Sequence, residues 1–233
     1  MHSVHQLASI LGMSSAHPPG SLRERKRLAT MVAIEDSATA LVLEHGYDAV
    51  TVEQICAAAD ISKRTFFNYV PSKDAAVIGT TPEDVSDEAR EEFLSSDDAD
   101  VPLSVLRMFM GAFAATRVAD DAQTVTLAQR RREIFRAEPD LGLLRMTASA
   151  RFHLRLTALV TEFLESRPDL RRLPEVPVEA ESRACVALVA ASGQLGLSTW
   201  LTRESGTFAD LDEDCIAALR MIARLVTPTG STS

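Results

Sequence analysis

Apolar residues recur every three or four positions along the first charged part of the chain. From Ser21 to His45 they are Leu28, Met31, Ile34, Ala38, Leu41 and Val42. This spacing predicts one long helix with a single apolar face, and Gly46 stands where such a helix would end. A second, shorter helix is predicted after Thr51-Val52-Glu53-Gln54, which has the form of a capping box, and it should end near Ala59.

The segment ISKRTFFNYVPSKD, residues 61 to 74, predicts two further helices. Ser62 can cap a third helix that runs from Lys63 to about Tyr69, because its hydroxyl can accept a hydrogen bond from a free backbone amide. Pro71 should end that helix, since its ring disfavours helical backbone at the preceding residue. Ser72 can then cap a fourth helix.

All the predicted elements are helices. Asp60 tolerates the left-handed backbone of a tight turn, so the second and third helices form a helix-turn-helix that the first one braces. Hydrophobic residues make up 46% of the chain and aromatic residues only 5%, which favours packed helices over sheets, and we therefore expect an all-α fold. Later helices are predicted at Glu83 to Leu94, Pro102 to Ala119, Ala122 to Ala137, Pro139 to Ser166, Val178 to Arg203 and Asp210 to Val226.

The 233 residues exceed one average domain, and the charge is unevenly spread along them. We expect a helix-turn-helix domain at 21–79 and a larger helical domain at 80–233. Residues 1–20 are expected to be a flexible arm, or a leader before a start at Met13. The net charge is −9 in total, but −1 over residues 21–74 and −8 over residues 75–233. A local cationic face is compatible with this acidic chain, because a phosphate responds to the charge within a screening length.

Several classes of protein are disfavoured by what the sequence lacks. The cysteines, Cys56, Cys185 and Cys215, are widely spaced and odd in number, which indicates neither a disulfide framework nor a zinc site. No stretch resembles a signal peptide or is long enough to span a bilayer. The motifs HExxH, GxSxG and the P-loop are absent. We expect a cytoplasmic protein with no catalytic residues, metal, cofactor or membrane partner.

The third helix carries side chains that suit the reading of base edges. Lysine and arginine can approach guanine, asparagine can bind adenine through two hydrogen bonds, and a threonine methyl can contact thymine. Phe66 should instead point inward. Lys73 would add its charge to the positive end of the fourth helix and so bind a phosphate there. Arg25 is either solvated or in contact with a phosphate. The predicted DNA contacts are Thr51, Lys63, Arg64, Thr65, Phe67, Asn68, Tyr69, Lys73 and Arg25.

The segment GYDAVTVEQICAAADISKRTFFNYVPSKDAAV, residues 46 to 77, resembles the DNA-binding signature of the TetR family of bacterial transcriptional regulators. Asp60 stands where glycine is common in the turn, and Val70 stands where phenylalanine usually precedes the proline. The resemblance implies a helical ligand-binding and dimerisation domain in the rest of the chain. It also implies a homodimeric regulator, most often a repressor, that binds a near-palindromic operator and is released by a small-molecule effector.

By that resemblance, the last two helices would form the dimer interface as a four-helix bundle with the partner's copies. Small and aliphatic residues there agree, although the internal core is the alternative for either helix alone. The interface candidates are Ala184, Ala187, Ala191, Cys215, Ile216, Leu219, Ile222 and Ala223.

An effector pocket would lie inside the larger domain, where apolar residues mix with a few polar groups. Most of the candidates are expected to be plain core. The run Arg130-Arg131-Arg132 is expected to pair with acids of this domain, ahead of an effector carboxylate. The pocket candidates are Phe109, Phe113, Arg117, Phe135, Met146, Phe152, His153, Leu156, Gln194 and Trp200.

Two other classes of function stay open on the same fold. The chain can be a helical enzyme, in which case turnover would survive the loss of Lys63 and Asn68. It can also be a helical adaptor that acts through protein contacts without DNA. A gel-shift assay on random duplex at low salt separates the adaptor from a DNA-binding protein, because even non-specific affinity should then be detectable.

Overall fold

A computed structural model describes residues 22–117, 119–203 and 206–226, and the regular elements of this part of the chain are helical, as predicted. The expected arm at residues 1–20 lies outside the described residues. The helices are α1 (Leu22–His45), α2 (Val52–Ala58), α3 (Lys63–Tyr69), α4 (Lys73–Ile78), α5 (Asp87–Ser95), α6 (Val101–Ala115), α7 (Asp121–Ala137), α8 (Pro139–Ser166), a short 3-10 turn (Pro168–Leu170), α9 (Val178–Trp200) and α10 (Phe208–Val226).

The chain divides into two compact units. Unit 1 holds the residues up to Thr80 together with Arg117–Leu144, and unit 2 holds Thr81–Thr116 together with the residues from Arg145 onward. The segment that contains α7 therefore clusters with the N-terminal helices, although it falls inside the predicted larger domain. The reason is that Ile134 and Leu141 belong to the core of unit 1.

The core of unit 1 joins the first four helices. Ile34 and Ala38 of α1, Phe66 of α3 and Val77 of α4 are all fully buried. The remaining buried members of this cluster are Met31, Val42, Val50, Ile55, Cys56, Val70, Ala76, Ile134 and Leu141. Phe66 points inward as predicted, so the aromatic ring holds α3 on its neighbours.

The residues between these helices adopt the backbone conformations that the sequence predicted. Gly46 has a φ of 83° and donates its amide to the Val42 carbonyl at 2.9 Å, which ends α1. Asp60 has a φ of 53°, the left-handed backbone predicted for the turn between α2 and α3. Val70 is extended, with φ −134° and ψ 137°, where proline follows it. All three predictions rest on local sterics, and all three are confirmed.

Three boundaries outside the helix-turn-helix were predicted wrongly. The helix expected from Glu83 begins only at Asp87, because Ser86 caps it by accepting the Ala89 amide at 3.2 Å. α6 ends at Ala115 and α9 ends at Trp200, a few residues before the predicted ends.

Unit 2 is built from α5, α6, α9, α10 and the later part of α8. α9 packs along α10 and also against α6. The rings of Phe93 in α5 and Phe163 in α8 lie 4.5 Å apart between centroids. Trp200, at the end of α9, donates its indole N–H to the Thr207 carbonyl at 2.9 Å and so ties the loop between α9 and α10.

An ion pair fastens the loop before α9. Arg171 donates to Glu181 at 2.9 Å, and the same carboxylate accepts the backbone amides of Arg172 at 2.7 Å and Leu173 at 3.1 Å. Burial raises the pKa of Glu181, but these hydrogen bonds outweigh it and leave that pKa below its usual value. Among the helices that the structure describes, none is long and apolar enough to cross a membrane.

Candidate nucleic-acid interface

One face of α3 carries polar and aromatic side chains that no other described residue of unit 1 covers. Lys63, Arg64, Phe67 and Asn68 are exposed, while Phe66 on the opposite side is buried. Phe67 is 55% exposed, and its ring meets that of Phe66 edge to face at 5.2 Å. This face of α3 thus combines an exposed phenylalanine with an amide and two cations.

Two predicted contact residues of α3 are held by the fold itself. The Thr65 amide donates to the Ser62 hydroxyl at 3.0 Å, and the two hydroxyls lie 2.8 Å apart. Thr65 therefore belongs to the helix cap and is half-buried. Tyr69 is also half-buried, because it packs against the core of unit 1. Both side chains are less available to a partner than the four exposed residues of α3.

The start of α2 faces solvent and forms the predicted capping box. The Gln54 amide donates to the Thr51 hydroxyl at 3.3 Å, and the Thr51 amide donates to the Gln54 side chain at 2.7 Å. Glu53 beside them forms an exposed ion pair with Lys63 of α3. The hydrogen bond from Lys63 lowers the pKa of Glu53. Exposed pairs of this kind are weak, so Lys63 can leave it for a phosphate or a base.

Lys73 is bonded within the fold in a way that the sequence did not predict. Its ammonium donates to the carbonyls of Tyr47 at 2.8 Å and Val50 at 2.9 Å, and it lies 3.8 Å from the centre of the Tyr47 ring. The Tyr47 hydroxyl in turn donates to Asp74. Lys73 therefore holds the loop between α1 and α2 in place. Thr51 lies at the end of that loop, so Lys73 also helps to position Thr51.

The arginine run of α7 faces α1. Arg131 pairs with the buried Glu35 at 2.8 Å, and Arg130 pairs with Asp36 at 2.8 Å. Arg132 is exposed. The predicted salt bridging is thus present for two of the three, but the acids lie on α1 and not in the predicted larger domain. Arg25, the remaining predicted contact, is exposed on α1.

Four of the pocket candidates come together in unit 2. The ring of Phe109 lies 4.8 Å from that of Phe113, 5.7 Å from that of Phe152 and 6.0 Å from that of His153. Burial lowers the pKa of His153, so its imidazole is neutral at pH 7. Phe109 also lies against Gly193 of α9, where an added Cβ would come within 3.0 Å of its ring.

The other pocket candidates are not part of this ring cluster. Phe135 packs against the core of unit 1, and Arg117 pairs with Asp121 at 2.7 Å in the same unit. Met146 is 71% exposed and Gln194 is exposed as well. The remaining two, Leu156 and Trp200, are buried in unit 2.

None of these ten candidates is among the residues that line two surface clefts. One of about 280 Å³ in unit 2 is lined by Thr81, Pro82, Glu83, Thr147, Ala148 and Arg151. The other, of about 450 Å³ in unit 1, is lined by Ala29, Val32, Ala33, Asp36, Ala119, Asp120 and Gln123.

The interface candidates of α9 and α10 divide by exposure. Ala184, Ala187, Ala191 and Ala223 are exposed, while Ile216 and Ile222 are half-buried. Cys215 and Leu219 are buried instead. Cys215 faces α9 of its own chain, because an added Cβ at Gly196 would lie 2.5 Å from its Cα.

Exposed apolar residues extend both faces beyond the candidates. Leu195 of α9 is 37% exposed, and Met221 and Leu225 of α10 are 55% and 80% exposed. The sequence could have indicated these residues through helical spacing. Leu195 follows Ala191 by four residues and Leu225 follows Met221 by four, so each pair lies on one face of its helix.

The family model described as bacterial regulatory proteins, tetR family, matches residues 34–77. This range holds the later part of α1 and all of α2 and α3, with most of α4. The mycofactocin biosynthesis transcriptional regulator MftR of Mycobacterium tuberculosis is 31% identical to this chain over 126 residues. The HTH-type transcriptional regulator TcmR of Streptomyces glaucescens is 40% identical over 76 residues.

These likenesses are partial in length. The match with MftR covers 54% of this chain and 61% of the relative, and the match with TcmR covers 33% and 32%. A TetR-family transcriptional regulator from Syntrophomonas wolfei is 15% identical, with a TM-score of 0.45 over 89% of this chain and 98% of its own. Thermus thermophilus FadR, a TetR-family repressor solved with lauroyl-CoA, is 22% identical, with a TM-score of 0.29. The likeness covers 90% of this chain and 98% of FadR.

Proposed function

We propose that this chain is a transcriptional regulator of the TetR family that binds DNA in a sequence-specific way, because its helix-turn-helix matches the family model over residues 34–77. The observation that carries this proposal is the exposed face of α3, where Lys63, Arg64, Phe67 and Asn68 stand on a helix fixed by the buried Phe66. A rigid helix with an exposed amide and two cations suits the major groove.

The roles on this surface follow from chemistry and exposure. Asn68 can bind an adenine edge through two hydrogen bonds, and Arg64 can approach a guanine. Thr51 and Arg25, exposed outside α3, suit the phosphate backbone, which positions a protein without reading sequence. Sequence preference should therefore depend on Asn68 more than on either of them.

We propose a homodimer as the form that binds the operator. Exposed apolar residues on α9 and α10 support it, because faces of this kind are normally covered by a partner. A two-fold dimer presents its two recognition helices about 34–36 Å apart, which matches half-sites one helical turn apart. The expected operator is accordingly a near-palindrome.

We further propose that a small molecule controls this binding. The ligand-free protein would bind the operator as a repressor, and the small molecule would release it. An effector that prefers a conformation with misplaced recognition helices lowers operator affinity by its differential binding. The aromatic cluster of Phe109, Phe113, Phe152 and His153 is the proposed effector region, and its neutral imidazole suits an apolar or aromatic ligand. Because DNA is the proposed partner, the proposed compartment is the cytoplasm.

Selection of bound sequences from a random duplex library tests the proposal. The wild type should enrich a near-palindrome, whereas the double variant Lys63→Ala, Asn68→Ala should lose that enrichment because two base-reading side chains are removed. The matched control is Arg132→Ala with Gln129→Ala, which removes one exposed cation and one exposed amide from α7 and should enrich the wild-type sequence. No enrichment by folded wild type would refute sequence-specific binding and favour the adaptor or enzyme.

Asn68→Ala alone should relax the preference at one base pair. Equal loss of affinity for the enriched duplex and for random duplex would refute its reading role. The enriched duplex also serves as the probe for effectors, which are scored by release of the bound protein.

A further inference from the structure

Arg131 connects three parts of unit 1, although it lies 54 residues beyond Val77. Its Nε donates to the Val77 carbonyl at 2.9 Å, and its Nη2 donates to the Glu35 carboxylate at 2.8 Å. Glu35 is only 4% exposed, so the pair is formed inside the unit. One guanidinium on α7 thus bonds to both α1 and the last turn of α4.

The end of α4 is shaped to receive this guanidinium. The last carbonyls of a helix lack partners within the helix, and a cation there also interacts favourably with the helix dipole. Gly79, which follows α4, has a φ of 75°. A Cβ added to it would lie 2.5 Å from Nη2 of Arg131, so the missing side chain leaves the space that the guanidinium fills.

The placement of α4 matters because it shares a core with the recognition helix. Val77 of α4 and Phe66 of α3 are both fully buried in the same cluster. Lys73 holds the start of α4 to the loop before α2, and Arg131 holds its end to α1. A shift at either end of α4 would therefore change the support on which α3 rests.

We propose that Arg131 is a positioning residue for DNA binding: by tying the end of α4 to Glu35 of α1, it fixes the orientation of α3 without touching DNA. This inference rests on the proposed function. It assigns part of the binding machinery to a residue far outside the helix-turn-helix sequence. The neighbouring Arg130 provides the contrast, because it bonds to the Asp36 carboxylate and carbonyl on α1 and, among the described residues, has no bond to α4.

The test compares Arg131→Lys with Arg130→Lys. Lysine keeps the positive charge opposite each acid, so no buried carboxylate is left without a partner, but its single nitrogen cannot reproduce the fork that reaches two acceptors. The readout is the ratio of affinities for the duplex enriched by the wild type and for random-sequence duplex, measured at one salt concentration. A residue that only stabilises the fold would change the unfolding midpoint and leave this ratio unchanged among folded molecules.

Arg131→Lys should lower the ratio by about tenfold, comparable to the loss of one base pair of recognition, whereas Arg130→Lys should leave it within error of wild type. An unchanged ratio in folded Arg131→Lys, or an equal fall in both variants, would overturn the inference. A wild type that fails to discriminate between the two duplexes would instead refute the proposed function, which is a separate result.

A second variant covers the case in which Arg131→Lys does not fold. Gly79→Ala leaves the arginine in place but forces its guanidinium to move, since the added Cβ occupies the same space, and it also strains the backbone, which has a φ of 75° at this residue. The ratio should fall here as well. A folded Gly79→Ala with wild-type discrimination would count against the positioning role.

Discussion

Lys73 shows how one side chain can serve both the fold and the proposed interface. Replacing it with methionine keeps most of the stem but removes the donors to the Tyr47 and Val50 carbonyls. Hydrogen bonds to charged groups contribute about 1.5–3 kcal/mol, and partial exposure reduces this, so we expect the free energy of unfolding to fall by about 1–2 kcal/mol. Urea unfolding measures this as a lower midpoint with an unchanged m-value.

The control for this prediction is Lys63→Met. Among the described residues, Lys63 pairs with Glu53 at an exposed site, so its loss should change stability by less than about 0.5 kcal/mol. On DNA, Lys73→Met should weaken binding to all sequences alike and reduce the salt slope by about one. Stability equal to wild type would contradict the brace, and an unchanged salt slope would contradict a phosphate contact.

Residues whose roles are local could be predicted from the sequence. Ser62, Ser72 and Thr51 cap helices where their neighbours predicted it, and Phe66 is buried by helical spacing alone. The acceptors of Lys73 could not be predicted, because they lie 23 and 26 residues earlier and depend on how α4 packs. A free lysine at a helix start and a bonded one have the same sequence pattern.

At the scale of elements, the contact between α9 and α10 depends on Gly196. An alanine there would place its Cβ 2.5 Å from the Cα and 2.6 Å from the N of Cys215, so the two helices would have to separate. We expect Gly196→Ala to lower the free energy of unfolding by about 2–3 kcal/mol, the upper part of the range for overpacking. Thermal or urea unfolding measures it.

Gly111→Ala is the matched control, because Gly111 is exposed inside α6 and an added Cβ meets nothing within 4 Å. That substitution should raise stability by about 0.5–1 kcal/mol, since alanine restricts the unfolded chain. Stability of Gly196→Ala equal to that of Gly111→Ala would mean that α9 and α10 do not approach as closely as described.

The existence of most elements was predictable, but their grouping was not. Helical periodicity located α7 correctly, yet it did not predict that α7 packs on α1. That contact depends on Glu35 and Asp36 meeting Arg130 and Arg131, which are about 95 residues away in sequence, as the separations of 94 and 96 show. Periodicity identifies which face of a helix is apolar and gives no information about which helix covers it.

At the scale of the whole molecule, the same limit applies to the candidate sites. The exposed face of α3 follows from one helix and its cap, so the sequence predicted it well. The effector candidates were chosen by residue type over more than 90 positions, and ring contacts join Phe109, Phe113, Phe152 and His153 into one cluster. A pocket depends on the packing of several helices, so residue type alone could not select its members.

The proposed homodimer is tested at the exposed apolar residues of α9 and α10 that support it. Ala191 stands on the exposed apolar face of α9, where a glutamate would place a charge in the proposed interface. Wild type should sediment at twice the chain mass of 25.3 kDa, and Ala191→Glu should shift toward a single chain. The affinity of Ala191→Glu for the near-palindrome should also fall, because separate chains would then bind the two half-sites independently.

Ala150→Glu supplies the comparison, since Ala150 is an equally small exposed residue on α8, outside the proposed interface. It should sediment as the wild type does and keep the wild-type affinity for the near-palindrome. A monomeric wild type at the concentration of the assay, or a dimer that survives Ala191→Glu, would contradict the interface on α9 and α10. The second result would direct attention to Leu154 and the other exposed apolar residues of α8 as the contact surface.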